Sequence, residues 1–298
     1  MAMERYSEII PEFDEFLDYL EKPLPKTARV NTVKSDVEET REALEEAGVS
    51  TEVFDWYSKG LRLDIPDGVS IGNTLPHFLG WIHVHEEVSM IPSAVLDPDE
   101  DDHVLDICAA PGSKTTQIAA AVEEGSVTAN DDNIGRIAAL RNNTDRLGLT
   151  NVSVTNYDGR RMPGRDVFDS AVVDVPCSSE GTARKYPQHR EGASLDRIRS
   201  LQGVQKGILS RTVDLVKPGG TVVYSTCTFA PEENEAVLDH VLGQKDVEVV
   251  DFSLGLNSEK GLTEWKGEGF DPSVERARRF YPHANDTGGF FVSKLKVK

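Results

Sequence analysis

The spacing of apolar and polar residues changes in character near residue 103. Beyond that point, short Val-rich runs are separated by longer segments in which apolar residues recur every three or four positions. The runs are HVLDIC, SVTAND, NVSVTNYD, DSAVVDV and GTVVYSTC. Such runs are typical of strands buried on both faces, and the segments between them are typical of crossover helices. The pattern therefore predicts an α/β fold with a doubly wound parallel sheet.

The last apolar run, GGFFVSKLKV at residues 288–297, follows no clear helix. A parallel strand needs a crossover connection, usually a helix, to return to the same edge of a sheet. We therefore expect this run to form an antiparallel strand at the edge of the sheet.

The first 75 residues have a different pattern, typical of a small α+β unit. Residues 35–48 predict a helix, with a capping box at Ser35 and Glu38 and a terminating Gly48. Residues 28–33 and 53–65 predict strands around a turn. We place the domain boundary here, with an N-terminal unit at residues 1–75 and the large domain at residues 76–298.

The charge balance is strongly acidic, with 51 Asp and Glu against 32 Lys and Arg and a net charge of −19. An acidic surface of this kind suggests a protein adapted to concentrated salt. Taken alone, it argues against a nucleic-acid partner. That argument weakens at about 1 M salt, where the screening length is only about 3 Å. No apolar run is long enough to span a membrane and the first residues lack a hydrophobic signal core, so we expect a cytoplasmic location.

All three cysteines fall just beyond predicted strands: Cys108 after VLDI, Cys177 after VVDV and Cys227 after VVYST. An odd number without a CxxC pair argues against a disulfide framework and against a zinc site, and we expect no metal. Ligands of open α/β sheets bind beyond the carboxyl ends of the strands. At least one thiol is therefore a candidate for catalysis.

The first three of these corners predict a nucleoside site. DICAAPGSKT at residues 106–115 joins a strand to a helix through small residues, although it lacks the GxGxxG and GK[ST] patterns. Asp131 ends the next strand, where a carboxylate can accept hydrogen bonds from ribose hydroxyls. Asp158 follows the third strand, where it could reach an adenine amino group.

The fourth and fifth corners supply a carboxyl and two thiols. Asp174 and Cys177 flank a proline in DVPC, and Cys227 lies in STCT. Carbon 5 of cytosine becomes nucleophilic when a thiolate adds to carbon 6 and an acid stabilises charge at N3. A base must then remove the carbon-5 proton so that the thiol can leave. This set of residues suits that chemistry.

Together, DICAAPGSKT, AND, DVPCSSEGTARK, YSTCTFAPEENE and RRFYPHANDTGGFFVSKL resemble the Sun-type family of RNA cytosine-5 methyltransferases. The resemblance implies a Rossmann-like methyltransferase domain that uses S-adenosylmethionine, and ARVNTVK resembles the RNA-binding segment that precedes it. It also implies that Cys227 is the nucleophile and that Cys177 assists release of the adduct. Lys114 and Asp174 would lie near the target base as further catalytic residues. The implied cofactor-binding residues are Cys108, Ala109, Ala110, Pro111, Gly112, Ser113, Lys114, Asp131, Arg136, Asp158 and Asp174.

The chain departs from the family pattern at a few positions. Ser113 stands where Gly is frequent, Ser179-Glu180 replaces a frequent Gly-x, and His85 stands where Gln is common. The departure at His85 leaves its role open, and an ordinary structural histidine is one interpretation.

The implied partner is structured RNA, with tRNA favoured. Basic residues near the fourth corner and in the N-terminal unit predict the contact surface. We single out Arg29, Arg184, Lys185, Arg197 and Arg199. The alternatives are a ribosomal RNA methyltransferase, a non-catalytic RNA-binding assembly factor, and a DNA cytosine methyltransferase in which Cys177 would be the nucleophile.

Overall fold

The N-terminal part of the chain forms a four-stranded antiparallel sheet with a helix packed on it. The computed structural model describes residues 2–298. In chain order the elements are α1 (Phe13–Glu21), β1 (Lys26–Val30), α2 (Val37–Glu46), β2 (Ser50–Val53), β3 (Gly60–Asp64), α3 (Leu75–Leu79) and β4 (Ile82–Val84). The strands are ordered β2-β3-β1-β4, and every neighbouring pair is antiparallel. The strands predicted at residues 28–33 and 53–65 correspond to β1 and to the β2–β3 hairpin.

Helix α2 begins one residue later than the capping box predicts. The carboxylate of Asp36 accepts the Glu39 backbone N–H at 2.8 Å and is the N-cap. The Ser35 hydroxyl instead donates to the Glu39 side chain at 2.9 Å. Gly48 follows the helix at φ 79°, a left-handed conformation that favours glycine, so the predicted end of the helix is correct.

The division of the chain differs from the predicted boundary at residue 75. Strand β4 lies beyond that residue, yet it pairs with β1 and completes the first sheet. The first residues also pack elsewhere: Tyr6, Phe16 and Leu20 join Phe229 in a cluster of the large domain. The compact N-terminal unit therefore spans residues 26–84, because long-range pairing and packing determine its limits.

The large domain is built on a nine-stranded mixed sheet. Its elements are α4 (Ile91–Leu96), β5 (His103–Asp106), α5 (Ser113–Ala119), β6 (Ser126–Asn130), α6 (Ile134–Leu147), β7 (Val152–Thr155), β8 (Phe168–Asp174), α7 (Leu195–Leu215), β9 (Val216–Thr226), α8 (Glu235–Leu242), β10 (Val247–Val250), β11 (Glu259–Lys260), β12 (Glu264–Trp265), β13 (Glu268–Gly269), β14 (Arg278–Phe280), α9 (Pro282–Asn285) and β15 (Phe290–Val297). The strand order is β11-β14-β15-β9-β8-β5-β6-β7, with β10 also paired to β15, while β12 and β13 form a separate hairpin. Strands β5 to β9 are parallel, which confirms the predicted doubly wound sheet.

Strand β15 is antiparallel to β9, as predicted, with Val292 opposite Ser225. It is an interior strand rather than an edge, because β10 and β14 pair along its other side. Residues 247–250 and 278–280 were not recognised as strands in the sequence.

The Val-rich strands are buried on both faces, which explains their nearly continuous apolar sequence. Along β8, Ala171 and Val173 contribute to one hydrophobic cluster and Val172 to the other. The same alternation occurs in β9, where Tyr224 and Val223 lie in opposite layers. Since successive side chains of a strand point to opposite faces, both faces must be apolar when helices cover both.

Helix α7 is 21 residues long and amphipathic. Ile198, Leu209 and Val213 are buried on its inner face, whereas Arg197 and Arg199 are exposed. Within residues 2–298, no helix is both long and apolar enough to cross a membrane.

The N-terminal unit is joined to the large domain by hydrogen bonds to the end of α6. The buried side-chain amide of Asn31 donates to Gly80 O and to Leu147 O, both at 2.8 Å. Lys34 donates to Arg146 O at 2.8 Å, and the Arg146 guanidinium returns to Ile82 O at 3.0 Å. These contacts fix the two units as the walls of one cleft.

We expect Asn31→Ala to lower the free energy of unfolding by about 1–3 kcal/mol, because two buried carbonyl groups lose their donor. Asn257→Ala is the matched control, since it removes an exposed amide that donates to Ala284 O. The control should change stability by less than about 0.5 kcal/mol. Urea denaturation of the two variants measures the difference, and equal values would contradict the joining role of Asn31.

Candidate active site

The first corner, between β5 and α5, is a tight loop over a buried carboxyl. Gly112 has φ 105°, and a Cβ atom there would lie 2.8 Å from Leu140 Cδ1, so both backbone and space require glycine. Below the loop, Asp106 accepts the Thr115 hydroxyl at 2.6 Å. Its other carboxylate oxygen has no partner within residues 2–298. Burial raises the pKa of Asp106 to about 7.

The second corner contributes Asp131, which is almost fully buried. Its carboxylate accepts the backbone N–H groups of Ala110 at 3.1 Å and of Asn133 at 3.0 Å. The guanidinium of Arg136 lies 3.4 Å from the same carboxylate and also donates to Ala110 O. Asp131 and Arg136 therefore meet at the first loop, where the Arg136 guanidinium lies against the carboxylate.

The third corner places Asp158 at the edge of this group. Its carboxylate accepts from the Arg160 guanidinium at 2.7 and 2.9 Å, and these hydrogen bonds lower its pKa. Sequence reasoning missed Asn130, whose buried amide donates to Ile107 O at 3.0 Å and to Tyr157 O at 2.9 Å. Asn130 thus holds the first three corners together. A polar residue at the end of an apolar strand was the available signal.

The carboxylates of these corners crowd around Cys108. Burial and then the charges of Asp106, Asp174, Asp131 and Asp132 raise the pKa of the Cys108 thiol well above its usual range. The Cys108 thiol is therefore neutral, which disfavours it as a nucleophile.

At the fourth corner, Asp174 lies between the first and fifth corners. It accepts from the Lys114 ammonium at 2.7 Å and from the Ser225 hydroxyl at 2.9 Å. Burial opposes the charge on Lys114, but the Asp174 carboxylate outweighs it and the Lys114 pKa is raised. Lys114 is therefore a cation, and the pair connects the small-residue loop to the cysteine corners.

The two remaining thiols lie side by side. Cys177 Sγ and Cys227 Sγ are 3.3 Å apart, although the residues come from different corners. Cys177 is buried, and Cys227 is partly exposed and lines a cavity. The contact with Cys227, together with burial, raises the pKa of Cys177 well above its usual range. Cys177 is thus a protonated thiol beside the accessible one.

The cavity in front of Cys227 has a volume of about 410 Å³. Asp174 and Cys227 line it from the sheet, His83, His85 and Glu86 from the strand β4 region, and Arg146 from α6. Lys185 and Tyr186 also line the cavity and are exposed to solvent. Sequence reasoning missed Glu86, Arg146 and Tyr186. Glu86 and Arg146 come from separate units and meet the cysteine corners only where the two units dock, whereas Tyr186 directly follows the predicted Lys185.

Three histidines line the cavity, namely His77, His83 and His85, and burial lowers the pKa of each. His83 and His85 are neutral. Burial, with the charges of Arg29 and Arg146, lowers the pKa of His83 to about 3. Arg146 lies 3.3 Å from His83 Nδ1 and can only donate, so Nε2 carries the proton and donates to Ser113 Oγ at 3.3 Å. Burial also lowers the pKa of His85 well below its usual range, and neither of its ring nitrogens has a partner within residues 2–298.

Two backbone hydrogen bonds hold the Cys227 corner. Gly181 N donates to Cys227 O at 2.9 Å, and Gly289 N donates to Gly181 O at 2.8 Å. A Cβ atom at Gly181 would lie 2.2 Å from Gly289 O, and one at Gly289 would lie 2.2 Å from the Phe229 ring. Glycine is therefore required on steric grounds at both positions.

The acidic residues after Cys227, in PEENE, are structural rather than solvated. Glu233 accepts the Ser178 backbone N–H at 3.0 Å, beside Cys177. Glu235 and Arg279 form a fully buried ion pair at 2.7 Å, and Arg279 also donates to Phe229 O at 3.0 Å. The two carboxylates thus fix the segments that flank both thiols.

The predicted RNA-binding residues divide into buried and exposed sets. Arg29 is 1% exposed and contacts Thr116, whereas Arg184 is 6% exposed and donates to three backbone carbonyls and to Asp286. Neither guanidinium reaches the surface. The prediction that Arg29 and Arg184 belong to the surface that contacts RNA was therefore wrong. Lys185, Arg197 and Arg199 are exposed.

We expect Gly289→Ala to destabilise the protein by about 2–3 kcal/mol, since the added methyl group overlaps the Phe229 ring. Gly203→Ala is the matched control in α7, where an added Cβ meets nothing within 4 Å. It should stabilise by about 0.5–1 kcal/mol, because alanine is the better helix former. Thermal unfolding of both variants checks the opposite signs, and a neutral Gly289→Ala would contradict the close packing at this corner.

Comparison with known families matches two separate parts of the chain. Residues 93–296 match the family described as 16S rRNA methyltransferase RsmB/F. Residues 3–70 match the ferredoxin-like domain of RsmF/B-like methyltransferases.

Individual relatives act on different RNA molecules. A tRNA (cytosine(49)-C(5))-methyltransferase of Pyrococcus abyssi is 37% identical over 297 residues, covering 99% of this chain and 94% of the relative. A ribosomal RNA small subunit methyltransferase F of Aliivibrio fischeri is 37% identical over 293 residues, or 95% of this chain, but the chain spans only 60% of that relative. The crystal structure of a methyltransferase homolog from Pyrococcus horikoshii has a TM-score of 0.88 and 32% identity, covering 100% of this chain and 94% of that one.

Proposed function

The chain belongs to the RsmB/F methyltransferase family, and from that premise we propose that it transfers a methyl group from S-adenosylmethionine to carbon 5 of a cytosine in RNA. The observation that carries the proposal is the pair of thiols 3.3 Å apart, with Cys227 facing the cavity and Asp174 beside it. The family membership agrees with the Sun-type resemblance predicted from the motifs.

The first three corners fit the methyl donor. The unpaired oxygen of Asp106 and the surrounding carboxylates provide acceptors that suit the hydroxyl and amino groups of a nucleoside. Bound there, S-adenosylmethionine supplies an electrophilic methyl group. The proposed holding residues are Cys108, Ala109, Ala110, Pro111, Gly112, Ser113, Lys114, Asp131, Arg136, Asp158 and Asp174. Arg136 would have to swing aside for a ribose to reach Asp131.

Cys227 is the proposed nucleophile, because it is the thiol that the cavity exposes. Its deprotonated sulfur forms a bond to carbon 6 of cytosine, and the electrons of the C5=C6 bond move toward N3, leaving carbon 5 nucleophilic. The Lys114–Asp174 pair lies at the same corner and offsets the charge that develops on the ring.

Cys177 is the proposed helper in release. After methyl transfer, a base removes the carbon-5 proton, the C5=C6 bond re-forms and the bond to Cys227 breaks. A protonated thiol 3.3 Å from the leaving sulfur can donate a hydrogen bond to the thiolate as it forms. The raised pKa of Cys177 keeps that proton in place until it is needed.

The proposed substrate is tRNA. Support comes from the DVPC and EGTARK segments and from the match to the Pyrococcus abyssi tRNA enzyme along nearly its whole length. Ribosomal RNA is the second candidate, because the Aliivibrio fischeri enzyme has the same identity to this chain.

Replacement of each cysteine tests the mechanism. We expect Cys227→Ala to abolish methyl transfer to unmodified tRNA, and Cys177→Ala to accumulate a protein–RNA adduct that survives denaturant. The measurements are incorporation of labelled methyl groups and gel mobility of the denatured complex, with thermal unfolding as a check on folding. Transfer that survives Cys227→Ala and is lost in Cys177→Ala would reverse the roles and favour DNA-type chemistry.

We further propose that Lys185, Arg197 and Arg199 bind the phosphate backbone. The triple alanine variant should weaken RNA binding and reduce the slope of log K against log salt by about one per lost phosphate contact. The matched control removes three exposed cations far from the cysteine corners, with Arg165, Lys217 and Lys296 changed to alanine. Equal effects of both triples in binding titrations at several KCl concentrations would contradict a localised binding face.

A further inference from the structure

The cavity in front of Cys227 contains a carboxyl group that the proposed mechanism does not use. Glu86 follows β4 and lines the same cavity as Cys227 and Asp174. No lysine or arginine of residues 2–298 forms a salt bridge with it. Its side chain is half-buried at the cavity, so the carboxylate can still accept a partner that enters there.

The Glu86 side chain packs in a space that Gly288 leaves open. The Glu86 carboxylate lies against the Gly288 backbone, whose proximity opposes the rise of the Glu86 pKa. A Cβ atom at Gly288 would lie 1.8 Å from Glu86 Oε1, so only glycine leaves room for the carboxyl group. The turn before β15 therefore positions Glu86 at the cavity.

The residues next to Glu86 in the chain do not bring a carboxyl group to the cavity. Glu87 turns away and accepts from Trp56 Nε1 at 2.9 Å and from Arg62 at 3.2 Å. On the other side, His85 is neutral. Glu86 is therefore the member of this segment that brings an acidic group to the cavity.

The environment of Glu86 keeps both protonation states accessible near neutral pH. Burial raises the pKa of its carboxyl to about 7, although the charges of Lys185, Arg184 and Lys114 oppose the rise. An ionised carboxyl accepts hydrogen bonds only, and a protonated one donates as well as accepts. Both states contain an acceptor oxygen.

The chemistry of the target base suits such a group. Cytosine differs from uracil in presenting an amino group on carbon 4 and an acceptor at N3. A carboxylate accepts from the amino group and repels the carbonyl oxygen that uracil has there, while a protonated carboxyl can also donate to N3. The geometry points to Glu86 as a specificity-determining residue that accepts a hydrogen bond from the exocyclic amino group of the target cytosine. This inference rests on the proposed function.

The test removes the Glu86 carboxyl, the amino group of the target base, or both. The methylated cytosine is first mapped in RNA treated with the wild-type protein. Stem-loop RNAs are then synthesised with cytosine or pyrimidin-2-one, which lacks the amino group, at that position. Formation of the denaturant-resistant adduct and methyl transfer are measured for the wild type, Glu86→Ala and Glu86→Gln.

We expect Glu86→Ala to reduce kcat/KM for the cytosine RNA by about 10- to 100-fold, as for loss of a hydrogen bond to a charged group. The pyrimidin-2-one RNA should be affected by less than about threefold, so the ratio between the two substrates should collapse. Glu86→Gln keeps an acceptor oxygen and should retain most of the ratio.

Glu87→Gln is the control for a neighbouring carboxyl that faces away from the cavity. It should lower the melting temperature but leave the ratio unchanged. If Glu86→Ala affects both RNAs equally, the role is structural and the inference is overturned. If wild-type protein neither methylates nor traps the cytosine RNA, the proposed function itself fails, and this outcome is distinct from an unchanged ratio.

Discussion

The Cys227 corner depends on a short series of backbone hydrogen bonds. Cys227 O accepts from Gly181 N, and Gly181 O accepts from Gly289 N, so three segments distant in sequence meet within one hydrogen-bonded row. The absence of side chains at these glycines permits the approach. Because Cys177 belongs to the segment that leads to Gly181, the same row brings the two thiols together.

One half-buried and one fully buried ion pair then position the groups around that row. The Lys114–Asp174 pair joins the small-residue loop to the fourth corner, and the Glu235–Arg279 pair fixes the segment after Cys227. Removing one partner of a buried pair leaves an uncompensated charge, which is strongly destabilising. Salt screens such pairs much less than exposed ones. The interior of this acidic protein is thus held by charges that surface conditions hardly affect.

The strands and their corners were predictable, because burial on both faces imposes a local pattern on the sequence. Cys108, Cys177, Cys227, Asp131 and Asp174 lie at the expected strand ends for that reason. Long-range contacts were not predictable: Arg29 and Arg184 resemble surface cations in sequence, yet both are buried between segments far apart in the chain. Glu86 gave no signal either, because its orientation is set by Gly288, about two hundred residues away.

The attachment of the N-terminal sheet to α6 has a consequence for how a nucleic acid is engaged. Asn31 and Lys34 tie the end of β1 and the segment after it to Leu147 and Arg146, so hinge opening would break one buried and one exposed hydrogen bond together. Most of the free-energy cost of placing the target base in the cavity is then the cost of deforming the polynucleotide. The polynucleotide must unstack the pyrimidine to present it. The rate of reaction at a site should therefore depend on how easily the nucleic acid unpairs and unstacks there. Sites that are already kinked or unpaired should react first.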